Sequence, residues 1–512
     1  MNTNNSSAPV NIAVTVDTAS GNKAISPYIY GLNVVPAQST VIKSARLGGN
    51  RTTGYNWENN LSNAGEDWQN FNDEYLFPKD KDGSTPAITM TDFAEKAKKA
   101  GAYTLITLPM AGFAANDRLR TVTKEETAPS KRFTKIVDRK NSSLSLTPDV
   151  KDDYVYSDEL LNYLVTKLGV AHNGGINGYS LDNEPALWPE THPRIHPTKT
   201  TVAELLEKSI SLASVVKDYD SGAEVFGPAL YGVGAYTNFQ NAPDWKGTYS
   251  STYKWFIDAY LDKMREAELL NGRRLLDVLD LHYYTEARCP SNHRVCDDRN
   301  NNDQCFYTRF QSTRSLWDKS YVEKSWVTQV HRRFLPVLPI VNESIEKYYP
   351  GTKLSISEYN FGYENHVSGG IAQADALGIF ASHGVYFAAL WALSEKVEYA
   401  YAGLNLYTNY DGSGGSFGGT LVSSSTDNIE YSSVYASTDS KGALHIILLN
   451  KSVNEAERFS VNVNSSNNYT TYECYGFNSN SAAIKHIGAG TVSGGLLSVD
   501  LPAMSAYHLV LK

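Results

Sequence analysis

Apolar runs alternate with helix-like patterns through most of the chain. Eight short runs read as strands buried on both faces, because apolar residues fill successive rather than alternate positions. The C-terminal parts of these runs are residues 28–33, 45–50, 105–109, 179–185, 224–229, 277–284, 353–360 and 385–391. Between them, apolar residues recur three and four positions apart, as on one face of a helix. Examples are residues 91–101, 158–169, 202–219 and 251–270.

This alternation predicts the α/β class with a parallel sheet, and eight repeats predict a (β/α)8 barrel of the TIM type. We place the barrel over residues 28–410. An open, doubly wound sheet is the alternative. It is disfavoured because no G-x-G-x-x-G motif opens a helix in this sequence.

The pattern changes after about residue 415. A Gly/Ser-rich segment at 411–419 is followed by runs in which apolar and polar residues alternate, with no helical pattern between them. Such runs, separated by turn residues, predict an all-β sandwich. Residues 10–17 show the same alternation. We therefore predict a second domain formed by residues 8–27 together with 415–512.

The tripeptide Asn183-Glu184-Pro185 directly follows the fourth apolar run. Proline cannot donate to a sheet ladder, so we expect the strand to stop there. We expect Glu184, the residue before proline, to be extended. The carboxyl ends of barrel strands form the face that carries the chemistry. Other polar and aromatic side chains at these ends are Asn50, His282, Tyr284, Glu358, Tyr359 and Trp391.

Two carboxylates stand out at these strand ends. Glu184 would end the fourth strand and Glu358 the seventh, so that they face each other across the barrel mouth. Such a pair suits glycoside hydrolysis, in which one carboxyl protonates the leaving oxygen and the other, ionised, attacks the anomeric carbon. A separation of about 5–5.5 Å would give retention of configuration. Glu286 is the main rival carboxylate, and we interpret it as a supporting residue.

Composition and charge narrow the classes of partner. The chain has 46 basic and 55 acidic residues, a net charge of −9, which argues against nucleic acid or an anionic membrane as partner. No apolar run reaches the roughly 20 residues that a membrane helix needs. The first ten residues, MNTNNSSAPV, lack the basic and apolar regions of a signal peptide. They suit the start of a mature secreted protein or a cytoplasmic start equally.

Three of the four cysteines, Cys289, Cys296 and Cys305, lie in one short loop, and Cys474 is distant. Their spacing does not match the C-x2-C pairs of a zinc ribbon. A Cys289–Cys296 or Cys296–Cys305 disulfide would form in an oxidising compartment. Three independent thiols remain the alternative, so the pairing is open.

Five segments, in this order, resemble glycoside hydrolase family 44: RLGGNRTTGYNW, YSLDNEPALWPETHP, FGPALYG, LLDVLDLHYYTEAR and LSISEYNFG. The resemblance runs from about Tyr28 to the end of the chain. It implies a secreted endo-β-1,4-glucanase or xyloglucanase that acts on a β-glucan polysaccharide, such as xyloglucan, carboxymethylcellulose or mixed-linkage glucan. It further implies a retaining double displacement without a catalytic cofactor. We expect a monomer.

Carried over by motif, Glu184 would be the general acid/base and Glu358 the nucleophile. Asn183 would bind the 2-hydroxyl of the sugar in the −1 site, and Trp391 would form the floor of that site. Sugar faces stack on aromatic rings, so a long glucan needs several such platforms. The remaining candidate substrate-binding residues are Asn50, Trp68, His282, Tyr284, Trp317 and Trp326.

The resemblance also implies a structural calcium ion on the barrel. Glu66, Asp149 and Asp152 are its candidate ligands, because hard cations prefer clustered carboxylates. Residues 288–308 form a Cys-rich insertion that is not typical of the family. Because it follows a barrel strand, we expect it to roof the cleft.

Other functions stay open on the sequence alone. A xylanase or arabinofuranosidase of the same clan would share the two carboxylates, and a non-catalytic glucan-binding protein would share the scaffold. A NAD-dependent enzyme on an open sheet lacks the phosphate-binding loop that it needs. Preference among the β-glucans is not determined by these residues.

Overall fold

The computed structural model describes residues 9–36, 40–297, 299 and 302–512. Eight parallel strands pair in chain order and close into a barrel, which confirms the predicted fold class. The barrel strands are Gly31–Leu32, Ser44–Leu47, Tyr103–Leu108, Gly178–Leu181, Glu224–Leu230, Val278–Tyr284, Lys353–Asn360 and Phe387–Leu390. Residue 8 of the predicted sandwich domain and residues 298, 300 and 301 of the predicted insertion lie outside the described residues.

Helices follow the barrel strands and cover them. They are Asn50–Thr53, Ile88–Lys99, Ser157–Leu168, Trp188–Thr191, Val202–Tyr219, Val233–Asn238, Phe256–Asn271, Asp303–Ser312, Trp326–His331, Val337–Tyr348, Val367–Ser382 and Glu398–Thr408. The helix Val202–Tyr219 shows why they form: the Thr201 side chain accepts a hydrogen bond from the Glu204 amide and caps the start. Leu205 and Leu212 are then buried on one face. The barrel strands themselves are buried on both faces, as their apolar runs predicted.

Two small sheets lie in the loops that follow the second and third barrel strands. One contains Ser62–Asn63, Phe71–Asp73 and Arg120–Thr121, and the other contains Phe113–Ala115, Phe133–Val137 and Tyr154–Tyr156. Because these loops leave the carboxyl ends of the strands, they build the wall of the barrel mouth.

A second body of strands is formed mainly by the end of the chain. Its strands are Val10–Asp17, Lys23–Ala24, Thr420–Thr426, Ser432–Thr438, Leu444–Asn450, Glu457–Asn464, Thr471–Asn478, Ser481–Thr491, Leu496–Leu501 and Ser505–Leu511. Val10–Asp17 pairs antiparallel with Thr420–Thr426 and parallel with Glu457–Asn464. Strands from both halves of this sheet bury side chains in a shared core, which agrees with a sandwich.

The sandwich packs directly on the barrel helices. Asp375, on the helix Val367–Ser382, accepts hydrogen bonds at 2.6 Å from Tyr435 of the sandwich and from Thr313 of the barrel. All three side chains are buried. These buried hydrogen bonds hold the sandwich and the barrel in one relative position. Any shift would leave a buried polar group unpaired, which costs free energy.

Several of the predicted strands are shorter than their apolar runs, the first and the fourth among them. Of the first run, only Gly31–Leu32 is strand, because Pro27–Ile29 form a turn that the Ser26 side chain caps. The fourth strand ends at Leu181, three residues before Glu184. None of the helices in the described part of the chain combines the length and apolar content needed to cross a bilayer.

Candidate active site

Glu184 lies on a tight bend just beyond the fourth barrel strand. Its φ is 47° and that of Asp182 is 62°, so both are left-handed, and the expectation of an extended Glu184 is wrong. Proline excludes mainly the right-handed helical region for the residue before it. Here the Glu184 amide donates to the Ala229 carbonyl at 3.0 Å, and its carbonyl accepts from the Leu187 amide at 2.8 Å. These two bonds curl the backbone and aim the carboxylate into the mouth.

Glu358 lies within the seventh strand, and side chains from the second and sixth strands hold its carboxylate. Arg46 Nη1 donates to Glu358 Oε1 at 2.6 Å, and the Tyr284 hydroxyl donates to Oε2 at 2.8 Å. The Arg46 side chain is fully buried and that of Glu358 is 6% exposed. Charge-assisted bonds in such a dry setting favour the ionised carboxylate.

His282 lies between the two carboxylates. Its Nδ1 is 2.9 Å from Glu184 Oε1 and 3.5 Å from Glu358 Oε2. One oxygen of each carboxylate and this nitrogen all lie within 4.8 Å of one another. Nε2 of His282 is buried without a hydrogen-bond partner among the described residues. A neutral ring in this setting carries its proton on Nδ1 and donates it to a carboxylate.

The two carboxyl groups are pushed to opposite protonation states. Burial raises the pKa of Glu184 above its ordinary value, and the hydrogen bond from His282 offsets only part of that rise. Burial acts on Glu358 in the same direction, yet His282, Arg46 and Tyr284 outweigh it and lower the pKa of Glu358. A pair whose environments separate their pKa values in this way offers one acid and one anion at the same pH.

Arg46 is the functional residue that sequence reasoning missed. It bridges three groups, because Nη1 also donates to Asn33 Oδ1 at 3.0 Å and Nη2 donates to Asn183 Oδ1 at 2.8 Å. One feature of the sequence could have pointed to Arg46: it is a charged residue inside the apolar run of a strand, in the motif RLGGN. A charge there is buried, and a buried charge needs a partner.

The predicted residues Asn183, Asn50 and Trp68 lie on one side of the carboxylate pair. Asn183 Nδ2 donates to Asn50 Oδ1 at 3.1 Å. Asn50 in turn donates to both carboxylate oxygens of Asp67, at 3.1 and 2.9 Å. The neighbouring Trp68 is 58% exposed. This hydrogen-bonded chain leads from the pair to an open indole face that suits sugar stacking.

Trp391 lies at the end of the eighth strand, partly exposed. Its amide donates to the Tyr359 carbonyl at 3.2 Å, and its carbonyl accepts from Asn360 Nδ2 at 2.7 Å. A Cβ on Gly49 would lie 2.4 Å from the Trp391 ring. Gly49 has a φ of +89°, so both its space and its backbone require glycine. The absence of a side chain at Gly49 thus leaves room for the indole of Trp391.

A cavity of about 370 Å³ opens beside Glu184. Trp326 and Glu286 both line it, so the structure brings these two predicted residues to the site. Trp317 lines a different cavity, with residues of the sandwich such as Leu421 and Tyr435. Its contact with substrate stays a prediction.

The cysteine loop is closed by a pairing that the sequence left unresolved. Cys289 is bonded to Cys305, and Cys296 and Cys474 are buried thiols. Neither of the two pairings weighed from the sequence is therefore correct. Cys296 Sγ is directed to the Asn360 carbonyl at 3.5 Å instead.

The predicted calcium ligands do not converge. In the described part of the chain, three ligand atoms meet only at Glu184, His282 and Glu358. Glu66 accepts a hydrogen bond from Asn70, and its grouping with Asp149 and Asp152 stays a prediction.

A different acidic side chain lies near Asp149 and Asp152. Burial, together with the negative charges of Asp152, Glu159 and Asp149, raises the pKa of Glu58 to about 8, although Lys140 opposes this rise. This excess of buried negative charge fits the chemistry of a hard cation.

Comparison with known proteins identifies the family. The model of glycoside hydrolase family 44 matches residues 61–287. The chain is 46% identical to a β-mannanase/endoglucanase A of Caldicellulosiruptor saccharolyticus, over 96% of this chain. It spans only 38% of the length of that relative. It is 45% identical to endoglucanase A of Paenibacillus lautus, over 99% of this chain and 73% of the relative.

A solved structure extends the likeness to three dimensions. The family 44 xyloglucanase of Paenibacillus polymyxa, solved with xyloglucan, superimposes with a TM-score of 0.95 at 45% identity. The match covers 98% of this chain and 99% of that one. The resemblance seen in the five sequence motifs is thereby confirmed, and the chain belongs to glycoside hydrolase family 44.

Proposed function

We propose that the protein is a retaining, endo-acting glycoside hydrolase that cleaves the backbone of β-1,4-glucans. In this mechanism Glu184 protonates the leaving oxygen while Glu358 attacks the anomeric carbon. Glu184, then ionised, deprotonates the water that releases the sugar from Glu358. The supporting observation is the pair itself: two carboxylates with oxygens within 4.8 Å and pKa values shifted in opposite directions.

The short separation favours retention over inversion. An inverting pair needs about 6.5–9.5 Å to admit a water molecule between the carboxylates and the sugar, whereas a retaining pair needs about 5–5.5 Å. The remaining groups assist the nucleophile. Arg46 and Tyr284 keep Glu358 ionised, and Asn183, held by Arg46, is placed to bind the 2-hydroxyl of the attacked sugar.

We propose xyloglucan, carboxymethylcellulose and mixed-linkage glucan as substrates, cleaved by a secreted monomer. Xyloglucan is supported by the complex of the Paenibacillus polymyxa relative. The domain division at residues 28–410 and at 8–27 with 415–512 is also retained as a proposal. So is a structural calcium ion, for which Glu66, Asp149 and Asp152 are the candidates from the sequence and Glu58 is a further acidic side chain near Asp149 and Asp152.

The first test is reducing-end release from xyloglucan by the wild type and by Glu358→Gln. The substitution keeps the shape of the side chain but removes the attacking charge, so activity should fall by several orders of magnitude. Glu286→Gln is the matched control for the rival carboxylate and should retain far more activity. NMR of the first product anomer should show the β form. An α product would refute retention, and an active Glu358→Gln variant would mean that the nucleophile is a different residue.

A further inference from the structure

The cavity beside Glu184 is one half of the cleft. Its walls include Glu184 but not Glu358. An acid that protonates the leaving oxygen contacts the departing part of the chain, whereas the nucleophile contacts the retained sugar. The cavity on the Glu184 side is therefore where the leaving sugars bind, if the proposed function holds.

Arg294 projects into this cavity from the Cys-rich loop. Its Nη2 pairs with Glu286 Oε1 at 2.8 Å, and its Nε donates to the Thr285 carbonyl at 2.9 Å. Nη1 is 3.6 Å from Asp297, beyond hydrogen-bonding distance. The side chain is 24% exposed. A guanidinium has five N–H donors, and the two hydrogen bonds to Glu286 and Thr285 use two of them.

Glu286 and the aromatic side chain of Trp326 line the same cavity as Arg294. Glu286 pairs with Arg294 there. A guanidinium donates hydrogen bonds to hydroxyl groups, and an aromatic ring stacks on the C–H face of a sugar. Together the two side chains suit the recognition of a neutral sugar.

The described residues around Arg294 are anchored at several points. The Cys289–Cys305 disulfide closes the loop, and the Cys289 amide donates to the His293 carbonyl at 2.9 Å. Beyond Arg294, the buried Arg309 donates to the Val295 carbonyl at 2.8 Å. The loop also packs on Gly362, where a Cβ would lie 2.3 Å from the Cys296 carbonyl oxygen. A guanidinium on such a loop loses little freedom on binding.

We propose that Arg294, held by Glu286 on the disulfide-closed loop, is a specificity-determining residue that binds hydroxyls of the leaving sugars. The loop begins where the segment matched by the family model ends, at residue 287. The proposal rests on the proposed function, and it assigns a role to the one basic side chain among the described residues that line this cavity.

The test compares two substrates that share the retained sugars and differ in the leaving group. Cellohexaose fills both halves of the cleft, whereas a nitrophenyl β-cellotrioside leaves only a phenol on the Glu184 side. Arg294→Gln should lower kcat/KM for cellohexaose by about tenfold or more, the value of one hydrogen bond to a charged group. It should change kcat/KM for the aryl glycoside by less than about twofold. Arg294→Lys should lie between the wild type and Arg294→Gln.

A second readout is the position of cleavage in end-labelled cellohexaose. Weaker binding of leaving sugars should shift cleavage toward the reducing end, an effect that a purely structural defect would not produce. Arg288→Gln is the matched control, because Arg288 is on the same loop but lines a different cavity.

Each outcome decides the proposal. Equal losses on both substrates, or an unchanged cleavage pattern with unchanged kcat/KM for cellohexaose, would overturn the role of Arg294. A wild type that released no reducing ends from any β-glucan would instead refute the proposed function. If Arg294→Gln fails to fold, Arg294→Lys carries the same comparison.

Discussion

Arg46 controls the charge of the nucleophile, and its removal is the sharpest test of the site. Arg46→Gln keeps a hydrogen-bond donor but removes the positive charge 2.6 Å from Glu358 Oε1. Glu358 must be ionised to attack, so its pKa sets the acid limb of the pH profile of kcat/KM. Arg46 lowers that pKa. Without it the pKa rises, and the acid limb moves to higher pH.

The size of the shift follows from the burial of the pair. Both side chains are at most 6% exposed, so solvent screens their attraction little. A hydrogen bond to a charged group contributes about 1.5–3 kcal/mol. One pKa unit corresponds to about 1.36 kcal/mol, so the acid limb should move up by about one to two units. Breaking a buried ion pair also destabilises the fold by about 3–5 kcal/mol, which thermal unfolding would reveal.

The assay is kcat/KM on xyloglucan across the acid range, at fixed ionic strength, for variants that remain folded. Arg51→Gln is the matched control. Arg51 pairs with Asp73 nearby, but their side chains are 16% and 26% exposed and neither contacts Glu358, so its acid limb should not move. A folded Arg46→Gln enzyme with an unshifted acid limb would refute the assignment of Glu358 as an anion held by Arg46.

Three further changes test other parts of the site. His282→Gln removes a hydrogen bond that lowers the pKa of Glu184, so the basic limb of kcat/KM should move to higher pH; a fixed limb would contradict this. Trp68→Ala should raise KM for polymeric glucan several-fold, through loss of a stacking contact of about 0.5–1.5 kcal/mol, whereas Trp317→Ala should leave KM unchanged; equal effects would place both in the substrate path. Chelation by EDTA should lower Tm by several degrees, and Asp152→Asn should lose that response; an unchanged Tm in the wild type would argue against the calcium ion.

The points that the sequence leaves undecided share a physical cause. Trp317 and Trp326 are both candidate sugar platforms by residue type, yet they line different cavities. Glu66 is a candidate ligand by charge alone, whereas Glu58 is the acid whose pKa responds to Asp149. The pairing of Cys289 skips Cys296. Whether residues on different loops come close depends on the paths of those loops. Loop sequences show no periodic pattern from which these paths could be predicted.

The periodic pattern of the chain is enough to predict the barrel, the sheet domain and the placement of Glu184 and Glu358 near the carboxyl ends of strands. Burial on both faces of eight strands leaves a periodic signature, and parallel connectivity sends every strand end to the same face. How these groups act on one another is set by closure of the barrel. Arg46 comes from the second strand and His282 and Tyr284 from the sixth, and their distances to the carboxylates push the two pKa values apart.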